Sequence, residues 1–326
     1  MDKVRFGVIG CGTVAGYGHI PAVVNSEKAE LVALADVNAK RLGEMREKYG
    51  VDTYTEYIDL LKRNDVDAVI VATPTFTHCK IVSDAAKMKK HILCEKPISL
   101  SLEEADEMIK VTRENNVKFM IGFTKRSSKR YIKIKELVNS GEIGELRFIK
   151  QISNWGGPIW GGEERYLWMI NRGGGPLIDA AIHDFDLLRW YSGSEVSSVY
   201  TTGYYSKKNI VYPDNVFVLV NMRNGIAGYI EHSWAYGKKG ITEFHVVGTE
   251  GVIIMGDKEA EVVKGDEVRR IVIGDDEDRF LVQVNNFVES IVEDKEPPVT
   301  GVDGKKALEI ALAALESFRN KKVMFL

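Results

Sequence analysis

The run VRFGVIGCGTVA near the start of the chain constrains the fold more than any other stretch. A short β-rich segment leads directly into a G-x-G-x-x-A turn at Gly10, Gly12 and Ala15, and helical signals follow. The first glycine permits a tight turn. The second lets backbone approach a pyrophosphate, and the third small residue lets helix pack close to strand. Amides at such a helix start, those of Thr13 and Val14 among them, are unpaired and lie at the positive end of the dipole, so phosphate oxygens are their natural partners. Asp36 closes the next strand-like run about 20 residues on, the position of a ribose-hydroxyl partner. A carboxylate there repels a 2′-phosphate, so NAD is expected over NADP. NADP stays possible because Lys40 and Arg41 follow closely, although both are expected on the exposed start of the next helix.

The first third of the chain alternates strand and helix signals. The apolar runs ELVALADV, DAVIVAT, HILCEK and KFMIGF suit strands buried on both faces. Between them lie helical patterns. One stops at Gly50, and another opens on a capping box, Ser101 with Glu104. This alternation predicts an α/β Rossmann domain with a doubly wound parallel sheet over 1–122. Past Gly122 most runs are β-rich and separated by Gly, Asn or Asp, as in an antiparallel sheet. Residues 123–326 are therefore expected to form an α+β domain on a large, mainly antiparallel sheet. Its last helix, about 303–320, could pack back toward the first domain. A chain of 326 residues is long enough for two such cores.

The net charge of -3 gives no global basic field for nucleic acid or an anionic membrane. No apolar run reaches the roughly 18 residues of a membrane span. The three cysteines, Cys11, Cys79 and Cys94, are scattered, and the histidines show no ligand spacing. Neither a disulfide framework nor a metal site is expected. With no signal-peptide pattern ahead of the first strand, a cytoplasmic location is expected.

Several further motifs gain meaning from their order: ATPTFTH at 72–78, the tripeptide Glu95–Lys96–Pro97, GFTKR at 122–126, GGGPLIDAAIHDFDLL at 173–188, and the ending PPVTGVDGKKALEIALAALES. Together with the glycine turn they resemble the glucose–fructose oxidoreductase / inositol dehydrogenase / rhizopine catabolism (Gfo/Idh/MocA) family over essentially the full length. The resemblance implies nicotinamide-dependent oxidation or reduction of carbon–oxygen bonds in sugars and cyclitols. It also implies a homodimer or homotetramer formed through the C-terminal sheet. Thr73, Pro74 and His78 match positions near the cofactor's phosphates, ribose and nicotinamide. Glu95 matches a residue near the nicotinamide ribose, and Lys96 one that reaches both cofactor and substrate hydroxyl. Asp179 and His183 match the family's Asp-x-x-x-His pair. Arg126 is retained at the junction as a contact for cofactor and substrate. Relatives often carry an aromatic after it, where this chain has Ser127.

Oxidising a secondary alcohol needs a base near neutrality for the hydroxyl proton, and an unperturbed histidine suits that task. His183, four residues after Asp179, is expected on the same helical face. Asp179 would orient the hydroxyl network, and Lys96 would donate to the substrate oxygen. Asn154, Trp160, Arg165, Trp168 and Tyr236 offer stacking faces and hydrogen bonds for a polyol, or serve equally as packing at a sheet edge. Asp184 and Asp186 read as a helix face or salt-bridge partners. The expected function is reversible NAD-dependent oxidation of a cyclitol, sugar or sugar acid. The alternatives are a nucleotide-linked sugar as substrate, redox-assisted elimination, or an NAD-binding regulator without turnover.

Overall fold

The computed structural model describes residues 3–157, 162–237, 239–275 and 278–326. The chain divides into two compact units, Met1–Ser128 with Glu277–Lys305, and Lys129–Asp276 with Lys306–Leu326.

The first unit is built on six strands: β1 (Val4–Ile9), β2 (Ala29–Ala35), β3 (Asp52–Tyr54), β4 (Ala68–Val71), β5 (His91–Cys94) and β6 (Phe119–Ile121). They lie in the order β3-β2-β1-β4-β5-β6, and every neighbouring pair is parallel. All four side chains of β4 are buried, as expected of a strand covered on both faces. The crossovers carry α1 (Ile20–Asn25), α2 (Ala39–Tyr49), α3 (Tyr57–Leu61), α4 (His78–Lys87) and α5 (Leu102–Glu114). The Ser101 hydroxyl caps α5 by accepting from the Glu104 amide, and Gly50 ends α2 in the left-handed conformation.

The strand order reverses between β1 and β4, and ligands of doubly wound sheets sit beyond the strand ends at such a point. A later segment completes this unit. A helix at Arg279–Val292 buries Phe280, Val284, Phe287 and Val288 along one stripe, and Phe287 meets Phe6 of β1 with ring centroids 6.3 Å apart.

The second unit holds α6 (Lys129–Asn139), α7 (Gly162–Arg172), α8 (Ile182–Ser192) and a nine-stranded sheet. Its strands are β7 (Leu146–Asn154), β8 (Val196–Tyr204), β9 (Asn215–Met222), β10 (Ala227–Ser233), β11 (Ile241–Gly248), β12 (Val252–Met255), β13 (Glu259–Lys264), β14 (Glu267–Val272) and β15 (Met324–Phe325). The order is β14-β13-β12-β11-β7-β10-β9-β8-β15. All pairings are antiparallel except β7 with β10, which is parallel. The helix at Arg279–Val292 is α9, and α10 covers Gly301–Asn320. Among the described residues no helix is long and apolar enough to cross a membrane.

Candidate active site

The glycine turn forms as its sequence requires. Gly10 has φ +91°, and a Cβ there would lie 2.6 Å from the Ala72 carbonyl oxygen, so β4 approaches too closely for any side chain. At Gly12 the position is open: a Cβ would meet nothing nearer than Arg41 Nη1 at 4.0 Å. Backbone that lies bare in this way suits the approach of a pyrophosphate. The segment Ala15–His19 is a π-helical turn, not the α-helix that periodicity suggests, and Ile20 continues it as α1.

Asp36 is fixed by two amides. Its carboxylate oxygens accept from the Cys11 N–H at 2.7 Å and the Asn38 N–H at 2.8 Å. Each oxygen retains a lone pair for a ribose hydroxyl. Burial and the Asp36 charge push the Cys11 thiol up to about 12. Arg41 departs from expectation: its amide donates to the Asn38 cap in the first turn of α2, yet its half-buried guanidinium lies by Gly12. Thr73 is half-buried and Pro74 exposed at the end of β4, and the Thr73 hydroxyl accepts from Thr77 at 2.7 Å.

His78 is a brace. Nδ1 lies 3.0 Å from the Pro97 carbonyl oxygen and Nε2 3.0 Å from that of Thr73. Burial drives its pKa down, against the opposing pull of those carbonyls. A neutral imidazole has one N–H, so it donates to one of the two at a time.

Glu95 is buried at the end of β5. Oε1 pairs with His19 Nε2 at 2.7 Å, and Oε2 accepts from the Lys96 backbone N–H at 3.1 Å. Burial works to raise this carboxyl, but the hydrogen bond and charge of His19, helped by Lys96, hold it below the usual carboxylate range. Gly122 makes room for it, since a Cβ there would sit 3.1 Å from Oε1. Lys96 is half-buried and precedes a cis peptide to Pro97. Arg126, on the short 3-10 turn Thr124–Ser127, donates to Asp303 at 3.2 Å and to the Pro298 carbonyl at 3.4 Å. The first unit thus gathers the glycine turn, Asp36, Thr73, Glu95 and Lys96 around one end of its sheet, while Arg126 is tied to the start of α10.

In the second unit the glycine triplet leads into another π-helical turn, Pro176–Ala180, closed by the Ala181 N–H on the Pro176 carbonyl at 2.7 Å. Gly174 and Gly175 have φ +87° and +64°, and a Cβ on Gly174 would strike Ile178 at 2.5 Å. Asp179 falls in the π turn and His183 in the first turn of α8, both half-buried. Such turns recur at functional sites. Asp184 and Asp186 are fully buried, and Asp184 pairs with His232 of β10.

Of the proposed substrate contacts, Asn154 is buried at the end of β7, with Nδ2 donating to Glu231. Arg165 lies over Trp168 at 5.6 Å in α7, and Tyr236 is about half exposed just beyond β10. Trp160 lies outside the described residues. In the sequence His19 shows no ligand spacing and carries no assigned role. The signal for it was a histidine held within the apolar run GYGHIPAVV, four residues after the fingerprint.

Residues 4–123 match the family model described as "Oxidoreductase family, NAD-binding Rossmann fold", and residues 131–254 match the GFO/IDH/MocA C-terminal domain. The chain belongs to the GFO/IDH/MocA oxidoreductase family. It is 32% identical to myo-inositol 2-dehydrogenase of Thermotoga maritima, across 98% of this chain and 97% of that one. It is 31% identical to scyllo-inositol 2-dehydrogenase (NAD(+)) of Bacillus subtilis, across 98% and 95%. The crystal structure of myo-inositol 2-dehydrogenase from Lactobacillus plantarum superposes with a TM-score of 0.88 at 26% identity, covering all of both chains. Like other members of the GFO/IDH/MocA family, the protein is an oxidoreductase whose first unit is an NAD-binding Rossmann fold.

Proposed function

We propose that the protein oxidises a secondary hydroxyl of a cyclitol or closely related polyol, reversibly, with NAD as acceptor. The likeness to inositol 2-dehydrogenases along nearly the whole chain carries this reading, and Lys96, Asp179 and His183 are this chain's candidates for its chemistry. The first unit is assigned to the cofactor. The bare backbone at Gly12 would receive the pyrophosphate, with the Thr13, Val14 and Ala15 segment at the helix start. Asp36 would accept the ribose hydroxyls, and its pinned carboxylate disfavours a 2′-phosphate. Thr73, Pro74 and Glu95 would border the rest of the cofactor, with His78 bracing the segments that carry them.

A nicotinamide cofactor supplies the acceptor for the hydride removed from the alcohol carbon. The chain's own task is the proton. His183 Nε2 would take it from the substrate hydroxyl, Asp179 would orient the hydroxyl network, and the Lys96 ammonium would stabilise the developing alkoxide. Arg126, Asn154, Arg165 and Tyr236, together with Trp160, are assigned to substrate recognition in the second place.

On the broad sheet, Tyr200 of β8 and Leu219 of β9 are paired neighbours and both are exposed. This favours a homodimer or homotetramer through that face, which light scattering of the purified protein will check.

The enzymatic reading is tested with a panel of myo- and scyllo-inositol, aldoses, uronates and UDP-sugars, followed by nicotinamide absorbance. Turnover of an inositol with NAD is expected. The Lys96→Met, His183→Ala double variant should lose it by ~100-fold or more while still binding NAD. Undiminished turnover in that variant overturns the assignment, and turnover confined to UDP-sugars moves the substrate to the nucleotide-linked class.

A further inference from the structure

His19 and Glu95 form a buried pair to which the proposed proton transfer gives no part. His19 is fully buried, and Glu95 is 7% exposed. The two are 76 positions apart, and their side chains join the turn that follows the dinucleotide fingerprint to the segment that carries Lys96. Burying an ionised carboxylate against a histidine is a poor way to hold two segments together, since apolar side chains of similar volume usually do so as well or better. Something other than stability is the more economical reason for it.

The geometry supplies one. Glu95 uses its two oxygens for two tasks, taking His19 Nε2 on Oε1 and the Lys96 N–H on Oε2. An ionised carboxylate only accepts, so Nε2 carries the proton and donates. Gly122, just past β6, lies against the carboxylate, since a Cβ there would come 3.1 Å from Oε1. His19 is boxed in as well. Its ring meets Phe280 edge-on at 5.0 Å, and a Cβ on Gly18 would fall 2.8 Å from that same ring.

Among the described residues, charged and titratable groups lie on both sides of the pair. Lys96, Cys94 and His78 interact with Glu95. On the α9 side, Tyr17 and Arg279 lie against Phe280, with Tyr17 edge-on at 5.6 Å and Arg279 at 5.6 Å. His19, helped by Lys96, therefore keeps a negative charge on Glu95.

We propose that His19 is a positioning residue which, through Glu95, fixes both the place and the ionisation of Lys96. The inference rests on the role of Lys96 in the reading above, but its test does not depend on turnover. The measurement is the pH dependence of Lys96 acetylation in the intact protein with NAD bound, followed by mass spectrometry of the peptide that contains it.

In His19→Leu, Glu95 loses the donor that keeps it ionised, Lys96 loses a fixed anionic neighbour, and its titration should move to lower pH by about 0.5–1 unit. Glu95→Gln removes the same charge directly and should shift it likewise, which covers the case of a His19→Leu protein that does not fold. His19→Gln keeps a side-chain donor and should restore most of the original titration. Phe280→Leu alters packing against His19 without touching the hydrogen bond and should leave it unchanged. Equal Lys96 titration in wild type, His19→Leu and Glu95→Gln, with only the melting temperature altered, would overturn the proposal. That result is distinct from failure of the enzymatic reading, which shows as turnover surviving loss of Lys96 and His183.

Discussion

At the scale of single residues, the site is decided by backbone that must stay bare and carboxylates that must stay put. Gly10 combines a left-handed φ with a carbonyl 2.6 Å from where Cβ would be. Gly10→Ala is expected to cost ~1–3 kcal/mol of stability and to weaken NAD binding at least tenfold, measurable by thermal melting and by titration calorimetry. Asp36→Ala removes the acceptor fixed by the Cys11 and Asn38 amides. It should raise the KM for NAD and narrow the preference over NADP, aided by Arg41 nearby; a preference for NADP in the unaltered protein would refute the role given to Asp36. Positions like these were legible in the sequence because each depends on spacing within one short stretch. His19 with Glu95, and Asp184 with His232, were not, since no local pattern says which distant strand will face a buried histidine.

Among the elements, the strands and most helices follow directly from hydrophobic period and end signals. Two kinds of feature escape that reading. The turns at Ala15–His19 and Pro176–Ala180 wind as π-helices, and over five residues an apolar pattern cannot separate that winding from an α-helix. The home of α9 is the other. Its stripe of Phe280, Val284, Phe287 and Val288 announces an amphipathic helix, but a stripe does not name the core that receives it. The cores decide: Phe287 is fully buried and packs on Phe6 of the Rossmann sheet. Phe287→Ala should therefore destabilise the cofactor-binding unit by ~3–5 kcal/mol, seen in urea unfolding as a lower midpoint that added NAD partly restores. A midpoint unmoved by the substitution would show that α9 is dispensable to that unit.

For the molecule as a whole, histidines govern the response to mild acid. Burial drives His78, His91 and His245 below their ordinary value of 6.5. The unfolded chain then takes up protons near that value which the folded chain refuses. The stability from these groups is complete above pH 6.5 and is lost as pH falls toward their folded values. For His78, the most deeply buried of the three, the slope is up to ~1.4 kcal/mol per pH unit. Urea midpoints should fall between pH 7 and pH 5, and His78→Gln should flatten that fall. An identical slope in the variant would remove His78 from the account.

The interrupted make-up of the first unit also bears on how the protein is born. A ribosome delivers residues 1–128 first, with every strand of the six-stranded sheet but without the helix whose Phe287 covers Phe6. The intervening unit must be translated before α9 emerges, an interval of roughly 8–30 s at 5–20 residues per second. Throughout that interval the nascent dinucleotide-binding half displays an uncovered apolar strip. Its completion, and with it the packing of Phe280 against His19, waits until the whole nine-stranded sheet but its last strand has been made.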